Sequence, residues 1–166
     1  LLRHIHGTAP FTILDFGCGP GRDLQTFTRM GHVAVGLDGT PEFARMARED
    51  SGCEVWQQDF LKLDLPAERF DGIFANAVLF HVPLQELPRV LGQLHATLKP
   101  GGVLFTYSCS GGIGAELFHK IVASAGTDAG VDGYISERMQ GAPDHPMTLT
   151  FPEGEYLKGL VVMKKA

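Results

Sequence analysis

Cysteine is scarce, neither sign of charge predominates strongly, and no apolar stretch is long. The three cysteines, Cys18, Cys53 and Cys109, are odd in number and far apart, with no C-x-x-C pair. That speaks against a disulfide framework and offers no zinc or redox motif. Reduced thiols in a cytoplasmic protein, with no metal, are expected. No apolar run approaches the ~18 residues of a membrane span, and Leu1 to His6 does not read as a signal peptide. A protein free in solution follows. Basic residues are in deficit throughout, nine against twelve acidic ones up to Pro100 and five against seven beyond it, for a net charge of −5. Such a balance weakens nucleic-acid and anionic-membrane readings and leaves a small molecule as the expected partner.

Two common glycine-loop motifs are also missing. A dinucleotide fingerprint, G-x-G-x-x-G, needs glycine at 22 counting from Gly17 or at 24 counting from Gly19, where the chain has Arg22 and Leu24. No Gly-Lys-Ser/Thr follows to make a phosphate loop.

What is there is the run Thr12-Ile-Leu-Asp-Phe-Gly-Cys-Gly-Pro-Gly-Arg-Asp23, a buried strand joined by a glycine loop to a helix. Glycines at 17, 19 and 21 allow a sharp turn and a close backbone approach to a ligand. The amides that follow favour negative charge, so a ligand carboxylate or phosphate is expected there.

With 166 residues and 44% apolar content, one domain with a real core is the expectation. Past the loop, Leu24 to Met30 read as a helix closed by Gly31, Val33 to Asp38 as a strand, and Pro41 to Arg48 as a second helix. Glu54 to Asp59 and Phe70 to Ala77 read as the third and fourth strands. Leu84, Leu87, Leu91, Leu94 and Leu98 fall on one face of a helix that stops at Lys99-Pro100-Gly101-Gly102. Val103 to Tyr107 would be strand five and Ala115 to Ala125 another helix. Alternation of this kind predicts an α/β fold with a parallel sheet and helices on both faces. Tyr134 to Met139 and Tyr156 to Met163 follow with no helix between them, which predicts an antiparallel pair.

The Asp-x-Gly-x-Gly-x-Gly loop, in this setting, resembles that of the class I S-adenosylmethionine-dependent methyltransferases. The resemblance implies a Rossmann-like three-layer sandwich whose seven strands run in the order 3-2-1-4-5-7-6, the last antiparallel. It also implies that the loop, through Gly17, Cys18, Gly19 and Gly21, holds the methionine end of S-adenosylmethionine, the product being S-adenosylhomocysteine. Asp15 would bond near the cofactor's amino group. Asp38, with Gly39, would take the ribose hydroxyls, Asp59 and Phe60 the adenine, and Asn76 and Ala77 the methionine portion. Methyl transfer is an in-line displacement on an already activated methyl, so a general base is optional. His81 is the best placed candidate for one, ahead of Asp23 and Asp71. The plainer alternatives are a turn aspartate at 38, a helix cap at 59 and a partly buried structural histidine at 81.

From residue 11 to 102 the chain is similar to small bacterial stand-alone methyltransferases, on Leu-Asp-Phe-Gly-Cys-Gly-Pro-Gly-Arg-Asp and on Phe-Ala-Asn-Ala-Val-Leu-Phe-His-Val-Pro. From 103 to 166 it resembles instead the carboxyl-terminal part of large-subunit ribosomal-RNA cytosine-5 methyltransferases. Thr106 to Ser110, Leu117 to Val122, Asp144-His145-Pro146 and Phe151 to Gly159 carry that likeness. A splice of two relatives near residues 100–106, giving an engineered or recombined chimera, is the simplest account; a natural outlier of one family is the other. Cys109 stands where the second family keeps its nucleophilic cysteine, but Asn76-Ala77-Val78 replaces that family's Asp-Pro-Pro, so an inert thiol is expected. Three functions stay open: methyl transfer to a small molecule, cofactor binding without turnover, and a remnant RNA methyltransferase.

Overall fold

The structure, a computed structural model, describes residues 1–141 and 156–166. Seven strands form one sheet: β1 (Thr12–Phe16), β2 (Val33–Asp38), β3 (Glu54–Gln57), β4 (Phe70–Asn76), β5 (Leu98–Ser108), β6 (Gly133–Gln140) and β7 (Lys158–Lys164). Their order is β3-β2-β1-β4-β5-β7-β6. The pairs from β3 through β5 are parallel, and β7 runs antiparallel to both β5 and β6. This is the expected Rossmann-like architecture and strand order.

Four helices cover the sheet: α1 (Arg22–Arg29), α2 (Pro41–Ser51), α3 (Leu87–Thr97) and α4 (Ala115–Asp128). Alternation along β1 shows how the layers are made. Leu14 and Phe16 join the core beneath α3 and α4, whereas Ile13 joins Leu24, Phe27, Ala44 and Ala47 of α1 and α2. Both faces are therefore buried, and Ile13, Leu14 and Phe16 of β1 are apolar on both, with Asp15 alone between them. Beyond α1 and α2, Ile5 and its neighbours at the amino terminus pack with Val103, Val161 and Met163 of the sheet.

Two sequence expectations need correction here. The helix expected from Leu84 begins only at Leu87; Leu84 precedes it and is 61% exposed. The chain has to leave β4 through a short 3-10 turn (Leu79–His81), and Pro83 and Glu86 accept and donate backbone bonds in the turn before the helix settles. Lys99 to Gly102 is not a helix stop before β5 but lies within it. Leu98 pairs with Phe70, Val103 pairs with Gly72, and the four residues between bulge out opposite Asp71. Gly101 takes a left-handed φ of 74°, and Lys99 Nζ closes the bulge on Asp71 Oδ1 at 2.8 Å. The tail pair forms as expected, though β7 starts at Lys158 rather than Tyr156. Residues 144–146 and 151–155, cited for the second resemblance, lie outside the described residues.

The leucine stripe gives a direct check. Leu94 is fully buried, so Leu94→Ala should lower stability to urea by about 2–5 kcal/mol, while Leu84→Ala should change it by no more than about 0.5 kcal/mol. Equal losses at the two positions would return Leu84 to the helix face.

Candidate cofactor site at the carboxyl edge

In a sheet of this order the strand sequence reverses direction between β1 and β4, and loops leaving the carboxyl ends of these two strands diverge to open a crevice. The glycine loop lies there, suspended from β2 by three hydrogen bonds, with a fourth holding the Asp38 carboxylate in place. The N–H groups of Gly17 and Cys18 both donate to the Leu37 carbonyl, at 2.8 and 3.1 Å. Gly19 N–H donates to Asp38 Oδ2 at 3.0 Å, and Thr40 N–H donates to Asp38 Oδ1 at 2.8 Å. Gly21 N–H donates within the loop to the Cys18 carbonyl at 3.0 Å. Every loop amide is thus taken by the protein, Pro20 having none. The amides left for a ligand carboxylate or phosphate are those of the first turn of α1, where the sequence reading put them.

The three glycines of the motif are required for different reasons. All have positive φ, at 78°, 51° and 90°. A Cβ on Gly17 would stand 2.4 Å from a Val78 methyl, and one on Gly21 would stand 3.0 Å from the Ala47 Cα of α2. One on Gly19 would meet nothing within 4 Å, so this glycine alone borders open space.

Three carboxylates lie near one another at this edge, one of them bonded to Gly19. Asp15, the fourth residue of β1, is 3% exposed, and its Oδ2 has no hydrogen-bond partner among the described residues. Burial, with smaller contributions from Asp23 and Asp38, pushes its pKa up to about 8. Asp23 sits in the first turn of α1, and burial raises its pKa too, against the pull of Arg22. Asp38 is buried but holds two backbone donors, and a carboxylate has room for about four, so acceptor positions remain.

The remaining sequence candidates divide. Phe60 packs on Phe16 with ring centroids 4.5 Å apart, beside the end of β1. Gly39 faces the Gln58 carbonyl, which a Cβ would approach to 3.3 Å. Asp59 does not close β3, which ends at Gln57; it lies in the turn beyond, where its exposed carboxylate takes the Leu61 N–H at 2.9 Å. Asn76 ends β4 and is exposed, and Ala77 follows with a φ of 52°, rare for a residue with a side chain. Its N–H donates to the Tyr107 carbonyl at 3.0 Å, which holds the chain in that conformation.

The Cys18 side chain belongs to the core. Its Sγ packs near Gly36, and burial pushes the thiol up to about 12. His81 is exposed at the carboxyl edge, its ring against Phe80 at 4.4 Å. Asp71 is removed from the list of bases. It is the second residue of β4, at the opposite edge, with Thr12 N–H on Oδ2 and Lys99 on Oδ1. Val78, whose methyls cover Gly17, was not singled out by sequence, since an isolated valine after a strand carries no signal of its own.

Fold and edge geometry together define an S-adenosylmethionine-dependent methyltransferase fold. A 17% identical methyltransferase from Methanosarcina mazei superposes with a TM-score of 0.77 over 99% of this chain and 97% of its own. The N-methyltransferase NodS of Bradyrhizobium japonicum, solved with S-adenosylhomocysteine, gives 0.73 at 18% identity over 94% and 79%. The methyltransferase domain family matches residues 13–102, more than half of the chain, and the chain belongs to that family. A ribosomal RNA large subunit methyltransferase I from Shewanella amazonensis is 61% identical over 64 residues, 39% of this chain. The chain spans only 16–35% of the length of the curated relatives it matches first.

The residues present suit a cofactor with a cationic end. A buried carboxyl oxygen on Asp15, unpartnered among the described residues, calls for a positive or donating group. Asp15 also carries a pH signature. With a folded pKa near 8 and an unfolded one near ~3.9, the folded state keeps a proton that the unfolded state releases. Stability is full below the lower value and falls as pH rises towards the upper one. Asp15→Asn should flatten that fall and raise Tm at pH 8 by several degrees, checked by thermal unfolding from pH 5 to pH 8; an unchanged slope would mean that Asp15 ionises freely.

Proposed function

We propose that the chain binds S-adenosylmethionine across the carboxyl edge of β1, β2 and β4 and transfers its methyl group to a small-molecule acceptor. The observation that carries this reading is the uncompensated Asp15 carboxyl, flanked by Asp23 and Asp38, around a loop whose own amides are spent. A pyrophosphate would meet three carboxylates and no loop donor. A ligand with an ammonium and a sulfonium meets complementary charge.

In this reading Asp15 accepts a hydrogen bond from the ammonium and gives up its proton to solvent. Gly17 and Gly19 keep the floor free of side chains, and Asp38 accepts the ribose hydroxyls on its remaining lone pairs while continuing to pin Gly19. Phe60 lies along the adenine ring, with Asp59 at its rim. Asn76 and the strained Ala77 line the methionine portion. Bound S-adenosylmethionine supplies the activated methyl. The protein's part is to align the acceptor and exclude water. His81, exposed beside Phe80, is the residue positioned to take a proton from an acceptor where one must leave.

The 166 residues act as one domain in this proposal, joined from two relatives near residues 100–106. The family match ends at residue 102; the ribosomal RNA methyltransferase matches run from 39% to 73% of the chain, and the shorter one is the more identical, 61% against 37%. A second reading, ribosomal-RNA cytosine methylation, is favoured by one feature: Cys109 stands exposed just past β5. Against it stand Asn76-Ala77-Val78 at the end of β4 and the net charge of −5.

Calorimetric titration with S-adenosylmethionine, S-adenosylhomocysteine and NADH tests the first reading; binding of NADH alone would overturn it. Asp38→Ala should weaken S-adenosylhomocysteine binding by about 1–3 kcal/mol, and an unchanged affinity would remove Asp38 from the site. Cys109→Ser should leave cofactor affinity intact, and no covalent adduct should form with a fluorocytosine RNA. An adduct that disappears in Cys109→Ser would move RNA methylation to the front.

A further inference from the structure

At the other edge of the sheet, α3 and α4 do not close fully over β5, β7 and β6. Between them lies a cavity of about 410 Å³ lined by sixteen residues, within the range of about 300–1,000 Å³ in which small-molecule pockets fall. Its walls are mainly aliphatic, with Leu91 and Val122 from the helices and Leu104 and Val162 from the sheet.

The polar lining is one-sided. His95, His119 and Lys164 contribute nitrogen bases, and none of the sixteen residues is Asp or Glu, although the chain as a whole carries −5. Lys164 Nζ donates to the carbonyls of His95 and Leu98 at 3.1 and 2.7 Å, which leaves its third N–H unassigned. His95 Nε2 lies 3.1 Å from the Asp132 carbonyl. His119 Nδ1 is buried and has no partner among the described residues. Buried polar nitrogens are normally bonded, and here the missing partner falls in a residue that lines a cavity.

We propose that this cavity is a second binding site, for a monocarboxylate with a flat apolar body. The acid group accepts a hydrogen bond from His119 Nδ1, which a turn of the ring brings from its buried position into the cavity, in the positive field of Lys164, and the apolar body lies against Leu104 and Val162. None of Asp15, Gly17, Gly19 or Asp38 lines the cavity. Occupancy is therefore independent of the cofactor site.

The test uses 2-naphthoate and its uncharged analogue 2-naphthalenemethanol, titrated calorimetrically and by histidine side-chain NMR. Naphthoate should bind one to one and move the His119 ring signals. The alcohol, and naphthoate with His119→Leu, should bind at least tenfold more weakly. Ala123→Trp, which fills the cavity from α4, should abolish binding while leaving S-adenosylhomocysteine affinity unchanged. Absence of naphthoate binding at millimolar concentration, equal affinity in His119→Leu, or displacement by S-adenosylhomocysteine would each overturn the proposal. A protein that takes naphthoate but not S-adenosylhomocysteine would sink the cofactor reading and leave this one standing.

Discussion

The carboxyl edge of this protein is organised by the attachment of one loop to one strand. The Leu37 carbonyl and the Asp38 carboxylate at the end of β2 receive the amides of Gly17, Cys18, Gly19 and Thr40. Because β2 lies beside β1 in register over five residue pairs, the loop cannot move without disturbing both strands. The start of α1 is fixed in turn, since Gly21 is wedged against Ala47 of α2. A rigid floor follows from these few contacts, and with it the position of every other group at the edge.

The same contacts decide the sign of charge the edge accepts. A loop that spends its amides internally leaves an anion only the first turn of α1, and Asp15, Asp23 and Asp38 stand close to one another beside it. Burial keeps Asp15 protonated in the absence of a partner, with Asp23 and Asp38 adding to the effect. In the proposed reading the edge exchanges a proton for a bound cation, which links cofactor affinity to pH in a way that a phosphate-binding loop would not.

Much of this was legible in the sequence because it depends on local rules. Strand and helix alternation gave the sheet, and the bare tail without a helix gave the antiparallel pair. Glycine at 17, 19 and 21 gave the loop, though composition alone says nothing of why each is needed. Three features were out of reach. Lys99 to Gly102 has the composition of a helix stop, but its pairing across β4 turns it into a bulge held by Asp71. Leu84 continues the leucine period in sequence, yet the turn at Leu79–His81 takes it out of the helix. The occupied loop amides arise from contacts with β2, nineteen residues on in the case of Gly19 and Asp38, and spacing within the loop cannot reveal them.

The place of β7 bears on how the chain reaches this state. Among the described residues β6 is bonded to no strand but β7, and β7 is inserted between β6 and β5. The helical and parallel portion, β1 through β5, can assemble from neighbouring segments, whereas β6 has no edge to join until β7 has been made and has docked on β5. Closing that long-range pairing costs loop entropy before it returns any contact. During synthesis on a ribosome, the parallel half would wait with the edge of β5 unpaired, and so with its backbone open to other chains.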